Sequence, residues 1–189
     1  MIAEPESRFT QPREDCPHPE YWTSTDGDST ECEVTELVGA FVRALQPEFC
    51  VETGAAWGNT THAIAEALLR NGHGRLESLE IEPDRIAHVE QRCEGLPVEV
   101  VGLSSLEYVP PLPVDFAWFD SLCDYRHIEF RRYLAMMHSR TVVGFHDTGP
   151  HHAVRAFIEP LVTEGLLAPL LYLPTPRGVA FARVLGGGL

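Results

Sequence analysis

The segment VETGAAWGNTT, residues 51–61, decides how this chain folds. It follows the apolar residues FCV, so a short buried strand ends in a carboxylate, Glu52, then passes through Thr53 into a turn holding Gly54 and Gly58, with Thr60 and Thr61 behind it. A strand, a glycine turn and a helix start make the first unit of an open α/β sheet, in which ligands bind beyond the carboxyl ends of the strands. Two phosphate-cradling templates fail here. A dinucleotide loop wants GxGxxG, but its second and third glycine positions hold Ala56 and Asn59; a P-loop wants a lysine, and all 14 basic residues are arginine. What remains is ExGxxxGxT: an acid, a glycine turn, and hydroxyls beside free N–H groups at a helix N-terminus. That set suits a ligand carrying an amine and a carboxylate together, an amino-acid moiety.

Outward from this segment, apolar strands alternate with helical patterns. The spacing of Val34, Leu37, Val38, Phe41, Val42 and Leu45 predicts a helix opened by Thr30 as N-cap and stopped by Pro47. Strands are expected at 49–53, 75–81, 98–102, 114–120 and 141–147, with helices at 59–72, 83–93, 124–138 and 152–165, the last kinked or shortened by Pro160. The stretches APLLYLP and GVAFARV read as a closing hairpin. Near-continuous apolar strands between helices imply an α/β fold with a mostly parallel sheet covered on both faces. Residues 1–29 are polar, proline-bearing and aperiodic, an irregular arm packed over a site, with Tyr21 and Trp22 buried; residues 30–189 form the one domain.

Composition narrows the partners. A net charge of −14 argues against tracking a nucleic-acid backbone, and a small molecule is the expected partner. The lack of lysine excludes a Schiff-base lysine and a lysine general base. Five scattered cysteines fit reduced thiols better than a disulfide or zinc framework. No apolar run approaches a membrane span and the acidic start lacks signal-peptide character, so the expected location is the cytoplasm. A homodimer is an assembly the sequence allows.

The strand ends gather Glu52 and Gly54, Glu80 and Glu82, the 102–105 turn, Asp120, and His146 with Asp147. Glu80, at the end of the next strand, is placed to accept both hydroxyls of a ribose. An amino acid joined to a ribose suggests S-adenosylmethionine. At this point the chain resembles the class I S-adenosylmethionine-dependent methyltransferases, in particular the small O-methyltransferases of the catechol and macrolide-sugar types, over roughly residues 30 to 185. The motifs are VETGAAWGNTT, SLEIEPDR, VVGLSS, VDFAWFDSLCDY and TVVGFHDT, in that order. The resemblance implies a Rossmann-like, seven-stranded sheet of order 3-2-1-4-5-7-6 with the last strand antiparallel.

It also implies roles. The methionine end of the cofactor would lie near Glu52, Thr53, Gly54, Ala56, Gly58, Thr60 and Thr61, with Trp57 on the cofactor or filling a gap. Glu80 would pair with the ribose, Ile81 with the adenine, and Ser104, Ser105 and Ser121 with the adenine rim. Metal-dependent relatives imply Mg²⁺ or another divalent ion on Asp120, His146 and Asp147, although an imidazole ligand suits Mn²⁺, Fe²⁺ or Zn²⁺ better. Cys123 stands where relatives carry their base, so His146 or His151 is expected to take that role, with His127 third. The activity implied is O-methylation of a small hydroxylated acceptor. A metal-dependent enzyme of the cephalosporin-hydroxylase-like branch and a non-catalytic cofactor-binding protein are the alternatives.

Overall fold

The structure, a computed structural model, describes residues 4–188. Its elements in chain order are α1 (Cys32–Leu45), β1 (Phe49–Thr53), α2 (Asn59–Asn71), β2 (Arg75–Leu79), α3 (Pro83–Arg92), β3 (Val98–Val101), β4 (Val114–Phe119), α4 (Arg126–Tyr133), β5 (Met137–His146), α5 (Val154–Thr163), β6 (Leu171–Leu173) and β7 (Val179–Arg183). The seven strands form one sheet of order β3-β2-β1-β4-β5-β7-β6. β1 through β5 pair in parallel, and β7 runs antiparallel to both β5 and β6. This is the Rossmann-like methyltransferase sheet that the motifs imply.

Successive strand side chains point to opposite faces, and each face has its own core. Cys50, Phe116 and Trp118 join Val34, Val38 and Ile64 of α1 and α2 on one face. Phe49, Val51, Ala117, Phe119, Val143 and Phe145 meet Phe130, Tyr133, Val154 and Ile158 of α4 and α5 on the other. Trp118 is fully buried, and Gly144 makes room for it: a Cβ there would sit 2.5 Å from the indole ring.

Three local expectations need correction. Thr30 does not cap α1; Glu31 holds that position without a side-chain capping bond, because both side chains are drawn to strand-end groups described below. α4 stops at Tyr133 and passes through a 3-10 turn, Leu134–Met136, into a ten-residue β5. Burial of Met137 beside Val114 overrides the helical propensity of LAMM, and the register shifts before Phe116 pairs with Val142. Tyr21 of the arm is 70% exposed and stacks on His18 rather than on the core. Pro160 lies inside α5, which is shorter than expected and ends at Thr163.

Candidate active site

The glycine turn is built to bring backbone against backbone. Gly54 has φ +80°, and a Cβ on it would lie 2.6 Å from the Asp120 carbonyl oxygen. Ala56 is also left-handed, at φ 48°, and its N–H donates to Glu80 (2.8 Å). Glu80 accepts from the N–H groups of Ile81 (2.8 Å) and Glu82 (3.1 Å) as well, so this carboxylate ties the turn to the end of β2. Gly58 then opens α2, whose first-turn N–H groups at Asn59, Thr60 and Thr61 have no helical carbonyl to bond.

Strand alternation sends the neighbouring acid and hydroxyl to opposite faces. Glu52 points under the turn, where its carboxyl group accepts from Thr61 and Ser78 hydroxyls, each at 2.6 Å. Burial pushes its pKa up to about 7, against the pull of those two bonds. Thr53 points the other way, to Glu129 (2.9 Å), which also gathers Ser121 (2.5 Å) and Ser105. Burial raises the Glu129 pKa, opposed by the three hydroxyls. Thr53, Ser105 and Ser121 are thus held by a buried acid of α4, while Ser104 accepts from the Leu106 N–H (3.3 Å). Ile81, 63% exposed, and Leu103 present apolar surface just beyond the ends of β2 and β3. Trp57 meets His88 edge-on and lies under the Arg85 guanidinium.

Beyond β4 and β5 lies a buried charged cluster. His146 is fully enclosed and bonded at both nitrogens: Nε2 to Glu31 (2.7 Å) and Nδ1 to Asp120 (3.0 Å). Burial alone would depress its pKa, but Asp120, Asp147 and Glu31 raise it to about 10, so the ring is an imidazolium. Glu31 also accepts from the Thr175 hydroxyl and the Arg177 N–H, both at 2.9 Å. Burial opposes ionisation of Glu31, yet His146 and these bonds hold its pKa down to about 2. Asp147, in a left-handed backbone conformation, takes Arg177 Nε on Oδ1 (2.7 Å) and Arg126 Nη2 on Oδ2 (2.7 Å). Burial would raise its pKa, but His146, Arg126 and Arg177 hold it far below the carboxylate range.

Asp120, His146 and Asp147 do come together, with one ligand atom of each within 4.8 Å of the others. They do not fit a divalent ion. A metal needs an unprotonated imidazole nitrogen and free carboxylate lone pairs aimed at one point. Here both imidazole nitrogens already face carboxylates, Nδ1 that of Asp120 and Nε2 that of Glu31, while Asp120 Oδ1 also faces Arg126 (3.1 Å) and its Oδ2 takes the Thr30 hydroxyl (2.7 Å). A second grouping, Cys123, Asp147 and His152, draws on the same occupied Asp147.

His146 cannot serve as a base in this state. His152 is better placed: its Nε2 lies 3.5 Å from Asp147 Oδ1, and the His151 ring packs on it with centroids 4.2 Å apart. Burial lowers the pKa of both rings, which favours their neutral form. His127 stacks on Phe157, away from the cluster. Burial raises the Cys123 pKa, which leaves that thiol unreactive near neutrality.

The arm roofs the turn. Thr25 accepts from Asn59 (2.8 Å), Asp28 pairs with Arg85 (3.2 Å), and Arg177 Nη1 bonds the carbonyls of Asp28 and Ser29. Between residues 28–30 and the 54–60 turn remains a cavity of about 30 Å³, bordered by Asp120. Glu31, Arg126, Glu129 and Arg177 were not foreseen as site residues. No short motif carries them: Glu31 and Arg177 meet across 146 positions of chain.

Residues 51–148 match a family model described as a methyltransferase domain. Among solved structures, the chain is similar to the O-methyltransferase TomG of Streptomyces achromogenes, involved in tomaymycin synthesis and solved in complex with SAM (22% identity, TM-score 0.70, covering 84% of this chain and 82% of that one). A putative O-methyltransferase from Klebsiella pneumoniae is similar at 20% identity and TM-score 0.71, covering 85% and 83%. An O-methyltransferase from Bacillus cereus in complex with SAH aligns at 20% identity and TM-score 0.69, covering 84% of each chain. No curated protein matches the sequence. At these identities the structural likeness is one of fold.

Proposed function

The chain belongs to the methyltransferase-domain family, and from that premise we propose that it transfers a methyl group from S-adenosylmethionine to a hydroxyl oxygen of a small molecule. The observation that carries this reading is the pairing of opposite polarities across one glycine turn. The free N–H groups opening α2 suit a carboxylate, while Asp120 and Asp28 border the same cavity and suit an ammonium and a sulfonium. Glu80 and the exposed Ile81 lie where a ribose and an adenine would follow.

A cofactor of this size needs a cleft of several hundred cubic ångströms, far more than the cavity under the arm. Residues 28–30 must therefore lift from the 54–60 turn for the cofactor to be admitted, which breaks the Thr30–Asp120 bond. Methyl transfer is an in-line displacement, so the acceptor oxygen must shed its proton as it attacks. His152, neutral and oriented by Asp147, takes that proton in this scheme, with His151 packed on it. The hydroxylase-like alternative requires a metal, which the cluster does not accommodate.

Calorimetric titration with S-adenosylmethionine and with its demethylated product tests the reading. Micromolar binding of both is expected; an absence of binding to clean apo protein would remove it. Recovery of an O-methylated acceptor would exclude the non-catalytic alternative.

A further inference from the structure

Two acidic side chains at adjacent strand ends, with a histidine beside them, ordinarily need a cation to hold them together. In this chain α4 supplies one. Arg126 is 2% exposed, and its Nη2 reaches Asp147 Oδ2 at 2.7 Å and Asp120 Oδ1 at 3.1 Å, bridging the two carboxylates. The rest of the fork is bound to the backbone of the same strand ends: Nε and Nη2 to the Ser121 carbonyl (2.9 and 2.6 Å) and Nη1 to the His146 carbonyl. A planar guanidinium is suited to such bidentate, multi-acceptor bridging, which an ammonium cannot reproduce.

We propose that Arg126 occupies the place of a divalent ion in this site, a built-in positioning cation that fixes Asp120 and Asp147 so that the enzyme works without metal. Occupancy of the carboxylates supports the assignment. Asp120 Oδ1 and Asp147 Oδ2 both face Arg126, and Asp147 Oδ1 faces Arg177, so the oxygens a metal would take already hold guanidinium groups. A divalent ion would have to displace Arg126 and strand a guanidinium in the interior, which is strongly unfavourable. Arg177 reinforces the exclusion, because it engages Asp147 from the other side.

The inference deepens the reading above, since it concerns that same site, but its test needs neither turnover nor cofactor. Mn²⁺ is titrated into the apo protein and the free-ion signal followed by electron paramagnetic resonance, for wild type, Arg126→Lys and Arg126→Met. Wild type and Arg126→Lys, which keeps the charge, should show no stoichiometric site at millimolar Mn²⁺. Arg126→Met should gain one site, at least about tenfold tighter than any wild-type binding, and Asp120→Asn added to it should remove that site. Micromolar binding of one Mn²⁺ by wild type would overturn the assignment, as would equal binding by Lys and Met variants or none by a folded Met variant. Should Arg126→Met fail to fold by circular dichroism, Arg126→Gln, which also removes the charge but keeps a polar head, takes its place with the same expected gain of one site. Wild type that binds neither Mn²⁺ nor S-adenosylmethionine would remove the proposed function and leave Arg126 in place.

Discussion

Replacing His146 with glutamine should abolish a specific alkaline loss of stability. In the native protein His146 is held as an imidazolium with a pKa of about 10, against 6.5 when unfolded. A group whose folded pKa is raised contributes stability that is complete below the unfolded value and is lost as pH climbs through the folded one. The window therefore opens near 6.5 and closes near 10. Within it the folded state holds one more proton than the unfolded state, so stability falls by about 1.4 kcal/mol per pH unit. Between pH 7 and pH 9 the loss amounts to about 2–3 kcal/mol. Cysteines whose pKa burial raises, Cys16, Cys50, Cys93 and Cys123, add their own alkaline loss once an exposed thiol begins to ionise, from about pH 8 upward. The interval from about pH 7 to 8 is therefore the one in which His146 dominates.

Urea denaturation at half-unit steps measures this. With a slope of roughly 2 kcal/mol/M, the wild-type midpoint should fall by about 1 M or more from pH 7 to pH 9. His146→Gln should be less stable at pH 7 and nearly flat from pH 7 to about pH 8, with only the cysteine contribution above that. Glu31→Gln should show a reduced slope, because Asp120 and Asp147 still face the ring. A wild-type curve flat from pH 7 to 9, or an unchanged slope in His146→Gln, would refute the buried imidazolium.

Three further outcomes are expected. Gly54→Ala should cost at least about 2 kcal/mol in thermal unfolding and weaken S-adenosylmethionine binding, since it combines a left-handed backbone with a Cβ 2.6 Å from the Asp120 carbonyl oxygen. Glu129→Leu should destabilise by about 2–4 kcal/mol, because it strips Thr53, Ser105 and Ser121 of a common acceptor; chemical denaturation checks it. His152→Gln should lower kcat by about 10²–10⁴-fold with little change in calorimetric cofactor affinity, whereas the same change at His127 should leave kcat near wild type.

Much of the fold is legible in local pattern. FCVET and VDFAWF are apolar runs too short for helices, and PDRIAHVEQR carries its own start signal in Pro83, so these elements fall where their spacing places them. The order of strands is not local; it enters through the motif order. Boundaries fail where tertiary packing decides, as when buried Met137 begins a strand inside a helix-forming stretch. Site residues divide the same way. The glycine turn and the strand-end acids declare themselves, but Arg126 is one arginine in an arginine-rich helix. Glu31 looks like an ordinary residue at a helix start until β5 and the 175–178 loop close around it.

The nearest polar group, not the side of the sheet, explains why equally buried acids of one site behave in opposite ways. Glu52 and Glu31 both lie on the α1 and α2 side of the sheet, yet Glu52 meets only hydroxyls while Glu31 meets an imidazolium. Hydroxyls stabilise an anion weakly, so desolvation wins and the pKa of Glu52 rises to about 7; a buried cation wins over desolvation, and that of Glu31 falls to about 2. The two have opposite consequences for stability. Glu31 contributes above pH 4.5 and loses that contribution as pH falls toward 2, whereas Glu52 opposes folding increasingly as pH rises from 4.5 toward 7. Between about pH 4.5 and 7 the same face of the sheet thus carries one acid whose ionisation holds the fold together and one whose ionisation opposes it.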